Sequence, residues 1–440
     1  MGYESARLSP ETNHTIGKVI KMAKRITVAV MGYGVVGSGV CSILADRQEK
    51  NTAYAGCDVR LKRILDIRDY PDSLFINLFT KNFDDILEDP EINVVAECIG
   101  GTGVAYKFTK ALLEKGKSVV TSNKAMVAAH GCEMLEIAKS NGCHYIFEAA
   151  VGGGIPIIRT LRNSYACEDI KEIFGILNGT TNYMLTKMRS EGTDYSEALE
   201  DARKRGYAEA DPTDDVEGYD ACRKIAILAS LAWNRFVDYR DIAVTGISKV
   251  TAADIAIAGA TGNVIKLVGR CRMDNGKLYA MVSPVMVRED NPLAGVSESY
   301  NSILVNSDNL DNCMFYGRGA GRLPTASAVV SDIVDIASGL RPIYYDWNQD
   351  NVAKVEEGDE FYSEFFIYVE SDDIAAAEAS VKELLRSKVQ QTEIKDATLG
   401  AKAVAFTTGK MRYRDLKVSL DLLADMPGKG KVRLCMPAVL

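Results

Sequence analysis

The segment that most constrains the fold is a continuous apolar run, Ile26–Met31, that breaks directly into Gly32-Tyr33-Gly34-Val35-Val36-Gly37 and then into a helical pattern reaching about Ala45. Such a run suits a strand covered on both faces, as in a parallel sheet. The G-x-G-x-x-G spacing says little alone, but between a strand and a helix each glycine has a use. Gly32 permits the tight turn, Gly34 lets a pyrophosphate approach the backbone, and Gly37 lets the helix pack close to the strand. The helix N-terminus then faces the phosphate charge.

The pattern repeats. Val59–Ile67, Val94–Ile99, Ser118–Thr121 and His144–Phe147 read as further strands, with helices around Tyr106–Leu113 and Ala129–Ser140. Gly116 and Gly142 stand where helix C-termini should stop. Alternation of this kind predicts an α/β Rossmann domain over residues 22–150, a doubly wound parallel sheet. Residues 1–21 are polar and carry no apolar secretory core, so they read as a mobile extension unless Met22 is the true start.

From Val151 to Gly317 the character changes to a mixed α+β domain, read as substrate-binding and dimerising. Lys171–Leu177, Leu278–Val287 and Ser302–Val305 are strand-like there, and Ser196–Arg205 is an amphipathic helix. Pro324–Ser338, within a segment 318–340 expected to pack back on the first domain, reads as a helix with Pro at its start. Residues 341–358 read as a linker. Residues 358–440 form a small βαββαβ unit: strands Phe361–Val369, Ala401–Thr407 and Val432–Met436, and helices Ile374–Leu385 and Tyr413–Leu423.

Composition excludes several partners. A net charge of −8 argues against nucleic acid and anionic membranes, and no apolar run is long enough to span a bilayer. The ten cysteines are scattered without a C-x-x-C pair, and there are only three histidines, which argues against a zinc site. Dispersed cysteines suit reduced thiols and a cytoplasmic location.

Chemistry concentrates in three places. After the second strand, Asp66 and Arg68 compete to read the adenine ribose: the acid favours the free hydroxyl of NAD, the arginine the phosphate of NADP. Strand alternation allows only one of them to face the site, and the choice leans slightly to Arg68. Gly100-Gly101 after Ile99 either admits a loop to the cofactor or forms a plain turn. Thr121-Ser122-Asn123-Lys124 places a lysine at the carboxyl end of a strand, either facing the cofactor cleft or opening a surface helix. Gly206–Lys224 gathers Glu209, Asp211, Asp214 and Asp215 in a Pro-containing loop ahead of Asp220 and Lys224. Those last two lie four residues apart and share a helix face. Carboxylates that hold an ammonium, beside a lysine that moves a proton, suit a small zwitterionic substrate.

Taken together, Gly32–Gly37, Thr121–Ala128, Glu148-Ala-Ala-Val-Gly-Gly-Gly-Ile-Pro156, Asn178-Gly-Thr-Thr-Asn-Tyr183, Gly206–Lys224, and Gly317–Gly321 with Pro324–Ala328 resemble homoserine dehydrogenase, in that family's order. The resemblance implies reversible, NAD- or NADP-dependent reduction of L-aspartate 4-semialdehyde to L-homoserine by a homodimer or homotetramer. It implies Lys224 as general acid/base and Lys124 as a second catalytic lysine. Glu209, Asp220, Asp215 and Gly206 would bind substrate. Gly32, Tyr33, Gly34, Val35, Val36, Gly37, Arg68, Ile99, Gly100, Ser122, Lys124, Gly206 and Gly319 would surround the cofactor. Glu148, Val151, Gly153 and Ile155 match a loop for a monovalent cation, Na or K; one carboxylate plus carbonyls suits a hard cation, although a glycine-rich turn without an ion reads equally well. Two lysines in one cleft should lower each other's pKa against the pull of nearby acids, and homoserine oxidation should rise through alkaline pH.

The last unit resembles the regulatory ACT domain often fused to this family, but Ser371-Asp372-Asp373 replaces the usual Pro-Gly turn after its first strand. That departure argues against threonine feedback and leaves the fold and a dimerising role in place. No aspartate kinase-like region precedes the dehydrogenase, so the chain reads as monofunctional. The competing readings are another amino-acid or aldehyde dehydrogenase of this architecture, and a nonenzymatic nicotinamide sensor; a sensor has no need of both lysines.

Overall fold

The computed structural model describes residues 25–340, 345, 347, 350–424 and 430–439; the extension expected over 1–21 lies outside them. Six parallel strands open the chain: β1 Arg25–Met31, β2 Asp58–Leu65, β3 Phe79–Thr80, β4 Ile92–Glu97, β5 Ser118–Thr121 and β6 Tyr145–Ile146. Their order is β3-β2-β1-β4-β5-β6, the doubly wound arrangement with a crevice where the order reverses beside β1. The helix Lys124–Ser140 starts five residues ahead of the expected Ala129, because Asn123 caps it by accepting from the Met126 N–H at 3.2 Å.

The helix Arg322–Ala337 packs on the helix that follows the glycine turn. A Cβ at Gly39 would lie 2.7 Å from the Arg322 carbonyl oxygen, so the pair is as close as backbones allow. Val40, Leu44, Ala326, Val329 and Ile333 bury that seam against Val28 and Val30 of β1. The helix begins two residues before Pro324, which therefore sits in its first turn rather than at its start; proline is tolerated there because first-turn N–H groups have no intrahelical partner.

The second sheet holds β7 Ile170–Ile176, β8 Ala243–Val244, β9 Asn263–Asp274, β10 Lys277–Arg288, β11 Tyr300–Ser307 and β12 Asp311–Arg318. Its longest hairpin, β9–β10, turns at Asn275 (φ 50°) and Gly276 (φ 76°), the two positive-φ positions of a type I′ turn. The buried helix Tyr219–Trp233 lies across β9 and β7; a Cβ at Gly269 would meet Leu177 at 3.0 Å and Ile225 at 3.2 Å.

The same sheet continues into β13 Tyr362–Glu370, β14 Val389–Thr392, β15 Ala403–Thr408, the short β16 Met411–Arg412 and β17 Lys431–Val439. The path runs β12-β11-β7-β9-β10-β17-β13-β15-β14. The C-terminal unit is thus βαββαβ, joined to the rest by two parallel pairs, Met286 with Ala438 and Val287 with Val439. Phe365, Ile367, Val381, Phe406 and Leu416 form its own core. The segment read as a linker is packed rather than free where it is described. Trp347 is buried and donates to the Ser230 carbonyl at 3.0 Å, while Val352 and Val355 bridge to Phe236 and Leu278. Trp347, Val352 and Val355, set in an otherwise largely polar run, make that docking.

Candidate active site

A cavity of about 510 Å³ opens between the two sheets. Val36 comes from the glycine-turn side, Ser122 and Lys124 from the end of β5, and Asp215, Asp220 and Lys224 from the acidic loop and its helix. Gly206 and Gly319 also line it, as do Asn178, Thr180 and Arg318, which sequence reasoning assigned no role.

Asp220 is the centre. Its Oδ2 accepts from Lys224 Nζ at 2.7 Å, and its Oδ1 faces Lys124 Nζ at 2.9 Å. The i,i+4 pair thus faces inward, and Lys124, a helix N-terminal residue of the first domain, completes it from across the cleft. Lys224 also donates to the Leu177 carbonyl at 2.7 Å. Asp220 is 4 % exposed; burial pushes its carboxyl up, but the charges of Lys224 and Lys124 outweigh burial and hold it well below the usual carboxylate range. The Asp220 charge in turn raises Lys124 above the ordinary lysine value against the opposing effect of burial. The expected mutual lowering of the lysines is therefore reversed at Lys124, because a shared carboxylate stands between them. Asp215 shifts upward through burial first and the neighbouring Asp220 charge second.

Other acids of the loop are elsewhere. Asp214 pairs with Arg223 at 2.8 Å on the outer face, and Asp211 caps a turn through the Thr213 N–H at 3.1 Å. Glu209 is exposed and does not line the cavity, whereas its neighbour Ala208 is buried. Glu209, expected to bind substrate, thus stands outside the cavity lining, and the preceding Ala208 methyl is the group turned inward. Gly206 adopts φ 76°, and Thr180 Oγ1 holds the next residue by donating to the Tyr207 carbonyl at 2.7 Å.

At the glycine turn, Gly32 has φ 90°, and a Cβ on Gly37 would lie 1.8 Å from the Gly32 oxygen. A Cβ on Gly34 would meet nothing within 4 Å, so open space lies where a pyrophosphate would approach. Val35 and Ile99 expose apolar surface beside it. Glu97, unassigned from sequence, shapes the next loop: it accepts from the Ile99 and Gly100 N–H groups at 2.8 and 3.0 Å and from Thr121 Oγ1 at 2.6 Å. An acid inside the apolar run Ile92–Glu97 was its signal.

Alternation does not separate Asp66 from Arg68, since residues two apart share a strand face; both lie just past β2, which ends at Leu65, and they pair with each other. Arg68 Nε donates to Asp66 at 3.2 Å, and Asp66 also accepts from the Tyr33 N–H at 2.7 Å and Tyr70 Oη at 3.2 Å. The side chains are 61 % and 6 % exposed for Arg68 and Asp66 respectively. The carboxylate is committed to the turn, and the guanidinium faces outward.

The cation loop departs from expectation at its acid. Glu148 spends its carboxylate on the N–H groups of Ile158 and Arg159, at 3.0 and 2.6 Å, at the start of a short helix. The Ile155 carbonyl is likewise engaged, by Ile157 N–H at 2.8 Å. A cation there would rest on backbone carbonyls without the expected carboxylate. Asp332 accepts from the Glu148 N–H at 3.0 Å and is pushed up to about 8 by burial and the Glu148 charge. Gly153 also packs tightly against the Gly319 loop: with φ 55°, a Cβ on it would lie 2.4 Å from the Gly319 oxygen. Among the described residues no cluster of three or more His, Cys, Asp or Glu side chains suits a metal, and no helix is long and apolar enough to cross a membrane.

Residues 156–334 match the homoserine dehydrogenase family, and residues 32–148 match the homoserine dehydrogenase NAD-binding domain. A homoserine dehydrogenase of Bacillus subtilis is 42 % identical over 322 residues, covering 72 % of this chain and 74 % of its own length. One of Synechocystis is 44 % identical over 317 residues, covering 71 % of this chain and 73 % of its own length. The chain belongs to the homoserine dehydrogenase family. The crystal structure of a homoserine dehydrogenase from Thiobacillus denitrificans superposes with a TM-score of 0.85 at 30 % identity, over 94 % of this chain and 98 % of that one. A Staphylococcus aureus homoserine dehydrogenase gives 0.76 at 32 % identity, over 95 % and 99 %. Coverage that high leaves too few residues unmatched to omit the C-terminal unit, so the three-part architecture is shared with these homoserine dehydrogenases.

Proposed function

We propose that this chain reduces L-aspartate 4-semialdehyde to L-homoserine with NADPH or NADH, reversibly. The observation that carries the reading is one buried carboxylate, Asp220, bearing two lysines from two domains at the mouth of a dinucleotide crevice. The nicotinamide, when bound, supplies or accepts the hydride. Lys224 gives its proton to the carbonyl oxygen in the reducing direction and takes it back in the other. Lys124 places a second positive charge where oxyanion character develops. Asp215 and Asp220 hold the substrate ammonium, and the loops at Gly206 and Gly319 flank the nicotinamide and keep water out. Gly34 leaves the space for the pyrophosphate, and the outward guanidinium of Arg68 favours the phosphate of NADP.

In functional units, residues 22–150 with 318–340 bind cofactor, 151–317 bind substrate and dimerise, and 358–440 form an ACT-like module. Asp373 caps its first helix by accepting from the Ala376 N–H at 2.9 Å, occupying the place of the Pro-Gly turn, so threonine is not expected to act there. The assembly is a homodimer or homotetramer. A monovalent cation, Na or K, would rest on the carbonyls of the Glu148–Ile155 loop. The ten cysteines form no disulfide among the described residues, which suits a reducing, cytoplasmic compartment.

The test is oxidation of NADPH and of NADH by the purified protein with aspartate semialdehyde, followed by nicotinamide absorbance. Turnover with a higher kcat/KM for NADPH is expected. Binding of both cofactors without turnover would refute the reading.

A further inference from the structure

Asn178 stands between β7 and the helix Gly179–Glu191, with extended backbone at φ −125° and ψ 120°. Its Oδ1 accepts from the Thr181 N–H at 2.9 Å and from Thr181 Oγ1 at 3.1 Å. This N-cap fixes which end of the amide faces which way, since only the nitrogen is left for the cavity side. The nitrogen reaches two carboxylates at once: Nδ2 donates to Asp215 Oδ1 at 2.7 Å and to Asp220 Oδ2 at 2.8 Å. Both of its N–H donors are thereby used, on a side chain only 5 % exposed.

We infer that Asn178 is a positioning residue for the reaction: it holds Asp215 and Asp220 side by side as an ionised pair and so builds the seat for the substrate's ammonium. The inference rests on the proposed function and adds a residue to it. Two buried carboxylates in contact normally share a proton, because the like charges cannot both be sustained. A neutral donor between them stabilises both charges without adding one. The surroundings do not do this evenly. Asp220 faces Lys224 on its own helix and Lys124 from the first domain. Asp215 lines the cavity with no ion pair at salt-bridge distance among the described residues; Asn178, the Thr180 hydroxyl and the more distant charges of Lys224 and Lys124 favour its ionised form. Of the other cations near the cavity, Arg223 is engaged by Asp214, Arg205 by Asp201, and Arg318 stacks over Tyr300. Asn178 is therefore the direct link from the well-compensated acid to the poorly compensated one. The preceding residue seats Lys224 through its carbonyl, so Leu177 and Asn178 together register acid pair and lysine.

Asn178→Ser and Asn178→Asp test this in the full-length protein. Serine caps a helix about as well as asparagine, so the cap is kept and the amide donors are lost. Expected for Asn178→Ser is an unchanged NADPH dissociation constant and a melting temperature within a few degrees of wild type. The KM for aspartate semialdehyde should rise about tenfold or more, as for loss of a hydrogen bond to a charged group. The acid limb of kcat/KM should move to higher pH, since Asp215 takes up a proton more readily without its donor. Asn178→Asp keeps the cap, adds a third carboxylate, and should move the limb further. Wild-type KM and acid limb in Asn178→Ser would overturn the role, as would a fall in kcat with both unmoved. If Asn178→Ser does not fold, Asn178→Asp decides: an unmoved acid limb there overturns the role, and a limb moved upward supports it. A wild-type protein that binds NADPH without turning over would instead overturn the function itself, and this role with it.

Discussion

Asp220→Asn separates the charge of the central carboxylate from its shape. The wild-type carboxylate carries Lys224 at 2.7 Å and Lys124 at 2.9 Å, whose side chains are 11 % and 37 % exposed. Removing one partner of a buried pair leaves an uncompensated charge and costs about 3–5 kcal/mol. Lys224 belongs to that class. Lys124 is more than a third exposed, so water screens it and it adds only about 0–1 kcal/mol. The new amide oxygen still accepts from one lysine, which lowers the loss. An overall destabilisation of about 3 kcal/mol near pH 7 is expected.

The pH dependence follows from the direction of the shifts. Asp220 is held below its ordinary value, so its contribution is whole above the unfolded pKa of about 3.9 and is lost as pH falls toward the folded value. Lys124 is raised, so its contribution is whole below about 10.4 and is lost as pH rises through the folded value. The gap between wild type and variant should thus be flat from about pH 5 to about pH 9 and narrow outside that window. Urea unfolding at several pH values reads this as a lowered midpoint at constant m. A gap under about 0.5 kcal/mol near pH 7, the size of an ordinary surface substitution, would refute the reasoning. So would a gap that widens as pH falls toward about 4, since the unfolded chain then protonates and the wild-type advantage must shrink.

Arg68→Ala should lower kcat/KM for NADPH by about tenfold to a hundredfold, the worth of charge-assisted bonds to a phosphate, and leave NADH nearly unaffected. An equal loss with both cofactors would assign Arg68 to the turn alone. Gly319→Ala places a Cβ 2.0 Å from Asn301 Nδ2, on a side chain 1 % exposed. That overpacking should cost about 1–3 kcal/mol and weaken cofactor binding, read by melting and by NADPH titration. Lys224→Met should lower kcat by about a hundredfold or more with NADPH binding intact. Loss of binding instead would make the lysine structural.

What the sequence showed plainly was local. The glycine turn between an apolar strand and a helix, and the i,i+4 step from Asp220 to Lys224, are short-range patterns that geometry converts directly into a crevice and a facing pair. The β9–β10 hairpin is written just as locally in Asn275-Gly276, and β10 is legible as Leu278–Val287, but β9 mixes in Lys266, Arg270 and Arg272, which mask its apolar pattern. β14 is hidden for a similar reason: Val389-Gln-Gln-Thr392 is an edge strand with little apolar content. The first sheet's pairing of Asp66 with Arg68 depends on where β2 stops, which no periodicity fixes. Glu97 and Asn178 are single polar residues whose partners lie on other elements, 24 residues or more away for Thr121, Asp215 and Asp220. Glu209 shows the converse: the family segment carries it, and it stands outside the cavity lining.

The charge count around Asp220 explains why one carboxylate carries two lysines. Asp215 and Asp220 balance Lys124 and Lys224, so the cluster is neutral as a whole. A zwitterionic substrate keeps it neutral on entry, which matters where an unpaired charge is expensive. On the proposed mechanism, Lys224 loses its positive charge as it protonates the carbonyl oxygen. Were it the only counter-ion, Asp220 would then be left as a buried anion with hydrogen bonds alone. Lys124, on the other oxygen and raised by that same carboxylate, keeps its proton through the step. The division of labour follows from exposure as much as from charge. The lysine that must give up its proton sits deeper, at 11 % exposed; the one that must keep it sits at 37 %, and the Asp220 charge raises it against the effect of burial. Exchanging those environments would leave the same four charges in place and remove the reason for either lysine to act as it does.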